Sequence, residues 1–297
     1  MDFLQDYVKN LELGGKSQAT IRTYKKDIGK LISHFSIKDK ESLDRLSVSD
    51  FQSFYTSQNI TPVSLNGLIR SLSAFFTWLK GIDYIQDNAF FHVKFGKTKF
   101  VSVKKEHKVI LTDEEARELI SAADNIQDKF MLALMLSTGL RRDEVGKIKI
   151  TDIKDCTIII NGKGNKQRKT FLNDTLCHML NMYMAERKTD SPFLFYATRG
   201  NVSSSGQLTG SAVNDRVKAC AKKANIDPEK AKKVSAHRLR GTLLTNVIRQ
   251  FGIRAAQSVA GHASMNTTML YDESGDEITR DVLLGMGTKF EEIVNAK

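Results

Sequence analysis

The amino-acid sequence predicts a mainly α-helical protein with two domains: a first domain of four helices, and a mostly helical second domain that holds a small antiparallel β-sheet. Three observations lead to this fold class. Apolar residues recur at helical spacing through most of the chain. A basic stretch at 95–108 has no such periodicity and is interpreted as an extended linker. Two short strand-like runs flank a glycine-containing turn at 162–167, which is typical of a hairpin.

The first domain is predicted to span residues 1–94 and to form a small helical bundle. Ser17 is the predicted N-cap of its second helix. A third helix is predicted to begin near Ser49. The fourth begins after Thr61, an N-cap followed by proline, and runs to about Lys80. The apolar faces of the first two helices are formed by Phe3, Leu4, Tyr7, Val8 and Leu11, and by Ile21, Tyr24, Ile28, Leu31, Ile32 and Phe35.

The second domain is predicted to span residues 109–297. Thr112 and Glu115 have the spacing of a capping box, which predicts a helix from residue 113. The runs 157–161 and 168–172 are the predicted strands of the hairpin. Helices are predicted near 113–123, 126–137, 142–148, 173–187, 211–225, 237–250, 254–261 and 277–294.

The charge of the chain favours a polyanionic partner. The 297 residues carry a formal net charge of +11, and 41% of them are hydrophobic, which excludes a disordered or fibrous protein. Residues 1–108 hold 17 basic and 11 acidic groups, and residues 109–271 hold 25 and 16. Residues 272–297 hold 3 and 7. Two basic domains could therefore bind a duplex from both sides, whereas the acidic tail is expected to meet something else. Solvated charged faces are the alternative interpretation.

The cysteines and the amino terminus predict a cytoplasmic protein. Cys156, Cys177 and Cys220 are odd in number and widely separated, so neither a disulfide framework nor a zinc cluster is expected, and the compartment is expected to be reducing. The amino terminus is acidic and lacks the pattern of a signal peptide. The longest uncharged apolar stretch, 130–140, is far shorter than the roughly 20 residues that span a bilayer.

Phosphate-loop and metal motifs are not found. Gly15, Lys16 and Ser17 end like a phosphate-binding loop, but Asn10 stands where the first glycine is required. No acidic cluster is suited to magnesium, so neither a metal nor another cofactor is expected.

A set of basic and hydrogen-bonding residues in the second domain remains. Arg141 follows a glycine-bearing turn at a predicted helix start, a position where its guanidinium can bind an anion together with backbone amides. His237 and Arg240 lie three apart, on one face of a later helix. His262 follows a glycine, and Tyr271 comes nine residues after it. Each could have an ordinary structural role, such as an arginine paired with an acid or a buried histidine, but their joint order favours a site.

This order resembles the tyrosine recombinases, the phage-type integrases, and among them the Xer-like members. The resemblance lies in T-G-L-R-x-x-E at 138–144, G-K-G-N-K at 162–166, H-x-L-R at 237–240, and G-H with T-T-x-x-Y at 261–271. S-x-x-T-I-R-x-Y, which begins at Ser17, also resembles the family's core-binding domain. The first domain is thus expected to be a SAM-like core-binding domain, and the second a catalytic domain.

The resemblance implies a role for each residue of the site. Tyr271 would be the nucleophile, Arg141 and Arg240 would hold the scissile phosphate, and Lys163 would be the general acid. His237 would be an acid/base partner, and the sixth residue, His262, would donate a hydrogen bond to a non-bridging oxygen. The chemistry is consistent: two bidentate guanidiniums suit the charge that develops on phosphate, and the phenol must lose a proton as it attacks. Alternatives are Arg142 for the first arginine, and Lys166 or Lys169 for the acid.

The same resemblance implies partners. The expected substrate is a double-stranded DNA recombination site, cleaved without metal or ATP through a 3′-phosphotyrosine and a Holliday junction. A tetramer is expected on DNA, with the predicted helix 277–294 exchanged between protomers, or else packed on its own domain. An accessory protein is possible and a membrane is not expected.

The alternative functions are a type IB topoisomerase activity and a catalytically silent DNA-binding regulator. Candidate phosphate contacts in the first domain are Arg22, Lys25, Lys26, Arg70 and Lys80.

Overall fold

The computed structural model describes residues 3–93, 109–162, 167–197, 206–262 and 264–272. The chain divides into two compact units, Met1–Glu106 and His107–Lys297. This division falls within the segment 95–108 that the sequence predicts as a linker, and the segment itself lies outside the described residues. The predicted helix 277–294 also lies outside them.

The first unit is helical, and its four predicted helices are present. Ser17 and Thr61 are N-caps, as predicted: their hydroxyls accept hydrogen bonds from the backbone amides of Thr20 and Ser64. Two short helices, α3 and α6, were not predicted because they have too few residues to show a periodic apolar face. The helices are α1 (Phe3–Leu13), α2 (Gln18–Phe35), α3 (Lys40–Asp44), α4 (Val48–Ser57), α5 (Pro62–Gly81) and α6 (Ala89–His92).

The core of the first unit is rich in aromatic residues. Phe76 of α5 is fully buried and stacks on Phe90 of α6, with 4.3 Å between the ring centroids. Phe51 of α4 meets both rings edge to face. The hydroxyl of buried Ser71 donates to Asp27 Oδ2 at 2.7 Å and so ties α5 to α2. This packing stabilises the bundle mainly through the burial of large rings.

The second unit is mostly helical around a small sheet, which confirms the predicted fold class. Its helices are α7 (Asp113–Ser121), α8 (Ile126–Thr138), α9 (Arg142–Val145), α10 (Asp174–Glu186), α11 (Gly210–Lys223), α12 (Pro228–Ala231), α13 (Ala236–Ala260) and α14 (Met265–Met269). Its strands are β1 (Ile153–Lys154), β2 (Thr157–Asn161) and β3 (Gln167–Phe171), in the antiparallel order β1-β2-β3. Helices α12 and α14 and strand β1 were not predicted, since each has five residues or fewer.

Helix α8 lies at the centre of this unit. Residues 130–135 are all buried, which explains why the longest uncharged apolar stretch of the sequence falls here. The helix packs against α7, α10 and α13. Helix α13 changes direction at Gly252, whose φ of 80° is not helical, so the two helices predicted at 237–250 and 254–261 are two arms of one element.

The expectation that no disulfide forms is wrong. Cys156, in the turn between β1 and β2, is joined by a disulfide to Cys177 of α10, and the two Cα atoms lie 5.7 Å apart. The separation of the two cysteines in the sequence did not indicate their pairing, because the sheet folds back onto α10. Cys220 is a buried free thiol.

Within the described part of the chain, no helix combines the length and the hydropathy needed to cross a bilayer. In the same residues no cluster of three or more histidine, cysteine, aspartate or glutamate side chains is placed to hold a metal ion.

Candidate active site

A cavity of about 490 Å³ in the second unit brings most of the predicted site residues together. Five of the six predicted catalytic residues line it, although they are far apart in the sequence. The sixth, Lys163, lies outside the described residues, as does Lys166. The lining residues are Arg141, Arg142, Asp143, Asn214, Lys218, Ser235, Ala236, His237, Arg240, His262 and Tyr271.

The turn between α8 and α9 positions Arg141. Helix α8 is capped at its carboxy-terminal end by Gly139, whose φ of 62° is in the left-handed region that favours glycine. Glu144, three residues after Arg141, accepts a hydrogen bond from the Arg141 backbone amide at 2.8 Å and one from Arg141 Nη1 at 2.9 Å. The Arg141 side chain is 39% exposed. Its guanidinium is therefore anchored at one edge and open to the cavity on the other.

The structure distinguishes Arg141 from Arg142. Arg142 is more exposed, and its nearest acid is the surface residue Asp143, with 3.9 Å between Arg142 Nε and Asp143 Oδ1. Arg141 instead pairs with Glu144, which is buried. The geometry thus favours Arg141 as the cation with the defined orientation.

Arg168 of β3 is a residue that the motif analysis missed. Its Nη1 and Nη2 donate to the two carboxylate oxygens of Glu144 at 2.9 and 2.8 Å. Strand alternation directs Arg168 and Thr170 inward, whereas Lys169 is exposed on the opposite face. Lys169 is therefore poorly placed as a general acid in this cavity. An arginine at an inward-facing strand position was the signal in the sequence.

Arg240 is the most deeply buried cation of the site, with only 2% of its surface exposed. Its Nη1 donates to the carbonyl oxygen of Gly139. Its Nη2 donates to the carbonyl oxygen of Ala260 at 2.8 Å and to His262 Nε2 at 2.8 Å. Burial, together with the nearby charge of Arg141, lowers the pKa of Arg240 to about 10. Arg240 remains cationic at neutral pH and is fixed at three points.

His262 is held between two partners. Because Arg240 can only donate, Nε2 must accept, and the proton is assigned to Nδ1, which lies 2.9 Å from Thr268 Oγ1. Burial, together with the charges of Arg240, Arg141 and Arg168, lowers the pKa of His262 to about 4. In this state the imidazole is neutral and orients Arg240.

Tyr271 lies just after α14 and is buried, with 6% exposure. Its ring stacks on His262, with centroids 6.1 Å apart and planes 18° apart, and lies 6.0 Å from the ring of His237. Its carbonyl oxygen accepts a hydrogen bond from Thr245 Oγ1 of α13 at 3.1 Å. The phenol is thus held against two histidines and beside Arg240.

Helix α11 sets the start of α13. Asn214 Oδ1 accepts a hydrogen bond from the backbone amide of Ala236 at 3.1 Å, which satisfies a donor at the amino-terminal end of α13. His237 is the next residue, and it is exposed in the cavity. Neither Asn214 nor Lys218, which also lines the cavity, had a signal in the sequence.

The electrostatics of the site favour an anion. Burial alone would raise the pKa of Glu144, but hydrogen bonds from Arg168 and from the Arg141 amide outweigh it and lower that pKa to about 2. One ionised carboxylate therefore faces three guanidiniums, those of Arg141, Arg168 and Arg240. The excess positive charge, in a partly desolvated cleft beside a phenol, suits attack on a phosphodiester.

The candidate phosphate contacts of the first unit are all exposed, and they lie on α2 and α5: Arg22, Lys25, Lys26, Arg70 and Lys80. Lys26 and Arg70 each precede one member of the Asp27–Ser71 hydrogen bond that joins these helices. Lys80 Nζ lies 5.2 Å from the centroid of the Phe91 ring.

Known proteins share both units. Residues 3–86 match the model of the phage integrase N-terminal SAM-like domain, and residues 109–277 match that of the phage integrase family. The chain is 30% identical over 287 residues to the tyrosine recombinase XerA of Pyrococcus horikoshii, covering 95% of this chain and 92% of that one. It is also 30% identical over 263 residues to the tyrosine recombinase XerC of Caldanaerobacter subterraneus subsp. tengcongensis, covering 85% and 71%.

Solved structures share the fold. XerH bound to a palindromic difH substrate has a TM-score of 0.72 at 19% identity and covers 94% of this chain and 83% of that one. A lambda integrase tetramer bound to a Holliday junction has a TM-score of 0.68 at 19% identity, covering 88% and 76%. Family models that match both units, a relative at 30% identity, and a cavity that joins a tyrosine to two arginines and two histidines agree: the chain belongs to the phage integrase family and is a tyrosine recombinase.

Proposed function

We propose that this recombinase cleaves and rejoins DNA at a specific site through a covalent 3′-phosphotyrosine at Tyr271. The observation that carries the proposal is the position of Tyr271, whose ring packs on His262 and near His237 in the cavity that Arg141 and Arg240 also line. The nucleophile and the cations thus come from one chain.

Each residue has a step in this reaction. The Tyr271 oxygen bonds to phosphorus while the bond from phosphorus to the 5′ oxygen breaks, and His237 takes the phenol proton. Arg141 and Arg240 stabilise the charge that develops on the equatorial oxygens. Lys163 protonates the leaving 5′ oxygen. When phosphate replaces His262 on Arg240, the ring proton of His262 moves from Nδ1 to Nε2, so that Nε2 donates to a non-bridging oxygen while Nδ1 accepts from Thr268 Oγ1. The phosphotyrosine keeps the bond energy, so a second strand can displace the tyrosine without ATP.

The partners follow from the same reaction. XerH and lambda integrase have been crystallised with DNA, the latter also as a tetramer on a Holliday junction, which supports a duplex substrate and a tetramer here. We propose that the first unit contacts phosphates through Arg22, Lys25, Lys26, Arg70 and Lys80. The segment 277–294 is the proposed exchange helix, and an accessory protein could regulate it. A cytoplasmic location fits a substrate that is DNA.

The test is covalent capture on a nicked duplex that carries the recombination site. Wild-type protein should form a denaturant-resistant adduct in EDTA, and Tyr271→Phe should form none while binding the duplex with unchanged affinity. Tyr196→Phe is a matched control, since Tyr196 lies in the same unit and does not line the cavity. Recombinant products would exclude a topoisomerase, which only relaxes supercoils. An adduct that persists in Tyr271→Phe would overturn the assignment, and no adduct on the correct site would leave only a DNA-binding regulator.

A further inference from the structure

Arg168 lies outside the residues that the family motifs single out, yet it has the strongest polar contact of the site. Both of its terminal nitrogens bind Glu144, and Glu144 in turn binds the backbone amide and Nη1 of Arg141. Arg168 and Glu144 are 17% and 6% exposed, so the pair is largely shielded from water. A bidentate guanidinium–carboxylate pair of this kind fixes orientation as well as distance.

The stem of Arg168 also lies against the turn that carries His262. A Cβ atom placed on Gly261 would be 2.9 Å from Arg168 Cδ and 3.3 Å from its Nε, and the φ of Gly261 is 60°. Glycine at 261 thus serves two purposes: it permits the left-handed turn, and it leaves room for the arginine stem. Arg168 contacts both Glu144 and the segment before His262.

A further observation separates Arg168 from an ordinary structural ion pair. Its Nε is buried and has no hydrogen-bond acceptor among the described residues, a state that costs free energy and is seldom kept without a reason. Its position therefore links strand β3 to the turn at Arg141.

We propose that Arg168 is a positioning residue: by saturating Glu144 it holds Arg141 in the orientation that binds the scissile phosphate. This inference rests on the proposed function. Without Arg168, the buried Glu144 carboxylate has Arg141 as its remaining strong cationic partner in the described contacts and draws that guanidinium away from the cavity. The rate of DNA cleavage then falls more than the affinity for DNA does.

The first test compares Arg168→Gln with Arg216→Gln. Arg216 is a matched control, because its Nη1 binds the half-buried Asp128 at 2.8 Å in the same unit but outside the cavity. In single-turnover cleavage of the nicked duplex, Arg168→Gln should be slower by about 10²-fold, with its dissociation constant for DNA almost unchanged. Arg216→Gln should cleave at the wild-type rate, even if its melting temperature falls as much. Equal rates for both variants would overturn the proposal.

The second test is rescue. If an uncompensated Glu144 captures Arg141, then the double variant Arg168→Gln/Glu144→Gln should cleave DNA faster than the single variant Arg168→Gln. The reason is that the neutral amide at position 144 no longer competes for the Arg141 guanidinium. A purely structural role of Arg168 predicts that the double variant cleaves DNA as slowly as Arg168→Gln or more slowly, and that result would contradict the proposal.

A third readout does not depend on chemistry and so separates this inference from the proposed function. Hydrogen exchange at the Arg141 amide, which donates to Glu144, should change in Arg168→Gln, because the carboxylate shifts when it loses its bidentate partner, and should stay unchanged in Arg216→Gln. If wild-type protein forms no adduct, the proposed function fails while this result still decides the positioning role. Unchanged exchange at Arg141 in Arg168→Gln would refute it.

Discussion

Single residues in this cleft differ in role because their surroundings differ. Arg141 and Arg240 have the same side chain, but Arg141 is partly open to the cavity and Arg240 is fixed by two carbonyl oxygens and His262. Glu144 is the one carboxylate in direct contact with the described guanidiniums of Arg141 and Arg168. The geometry of the guanidinium, as much as its charge, therefore determines which substitutions Arg141 and Arg240 can accept.

Arg240→Lys tests geometry against charge. The ammonium keeps the positive charge but cannot span the acceptors at Gly139, Ala260 and His262, and a buried acceptor left unsatisfied costs about 1–3 kcal/mol. We expect single-turnover cleavage to fall by about 10²-fold or more and the unfolding free energy to drop. Arg249→Lys, at an exposed position of the same helix, is the control and should change neither. A wild-type cleavage rate for Arg240→Lys would contradict the role given to its planar fork.

His262 predicts how stability depends on pH. Its pKa is lowered to about 4 in the folded protein, so the unfolded chain binds this proton at higher pH. The stabilisation is thus complete above about pH 6.5 and is lost as the pH falls toward 4, with a slope of at most about 1.4 kcal/mol per pH unit. Glu144, lowered to about 2, adds a second loss below its ordinary pKa of 4.5.

Chemical denaturation of wild-type protein and His262→Gln between pH 4 and 7.5 measures the first effect. The variant should be less stable at pH 7.5 but should show a flatter profile between pH 6.5 and 4.5. Parallel profiles would mean that folding does not lower the pKa of His262.

At the scale of elements, two left-handed turns place the functional groups. Gly139 caps α8 and presents its carbonyl oxygen to Arg240, while Gly261 caps α13 and precedes His262. Both turns follow helices that were predicted from periodicity, and the capping box of Thr112 and Glu115 was predicted from four residues and is present. Local signals succeeded here because caps and turns depend on neighbours in sequence.

Gly261→Ala tests the second turn. The methyl group would meet Arg168 Cδ at 2.9 Å on a backbone whose φ is 60°, so we expect a loss of about 1–3 kcal/mol in unfolding free energy together with slower cleavage. Gly29→Ala is the control, because that glycine lies inside α2 with nothing near its Cβ direction, and alanine there should stabilise by roughly 0.5–1 kcal/mol. Unchanged stability in Gly261→Ala would contradict both the clash with Arg168 and the left-handed backbone at this turn.

At the scale of the whole molecule, most of the positive charge serves DNA binding and only a small part serves the chemistry of the cavity. The +11 of the chain arises from two basic regions and an acidic carboxy-terminal segment. Most of the basic groups lie outside the cavity, which uses only a few cations. Binding to a duplex should therefore depend mainly on phosphate neutralisation along the protein, whereas chemistry depends on the cluster around Arg240.

DNA affinity should fall steeply with salt. Each phosphate contact that is removed should reduce the slope of log K against log salt by about 0.9. We expect this for Lys26→Ala and Arg70→Ala, measured by fluorescence anisotropy across sodium chloride concentrations. Lys232→Ala, whose charge already pairs with Glu229 on the surface, should leave the slope unchanged. Identical slopes for all three variants would remove α2 and α5 from the proposed interface.

The sequence by itself determined the longer helices and the two paired strands of the hairpin, and it predicted a division at 95–108 and the motif residues of the site, because periodicity, caps and side-chain chemistry are local properties. Tertiary structure alone decided which of these residues meet: that Arg168 binds Glu144, that His262 faces Arg240, and that Cys156 pairs with Cys177. These contacts join residues 21 to 24 positions apart, from different elements. No local sequence pattern encodes these contacts, since they depend on how the packed helices and a strand bring their inward faces into one cleft.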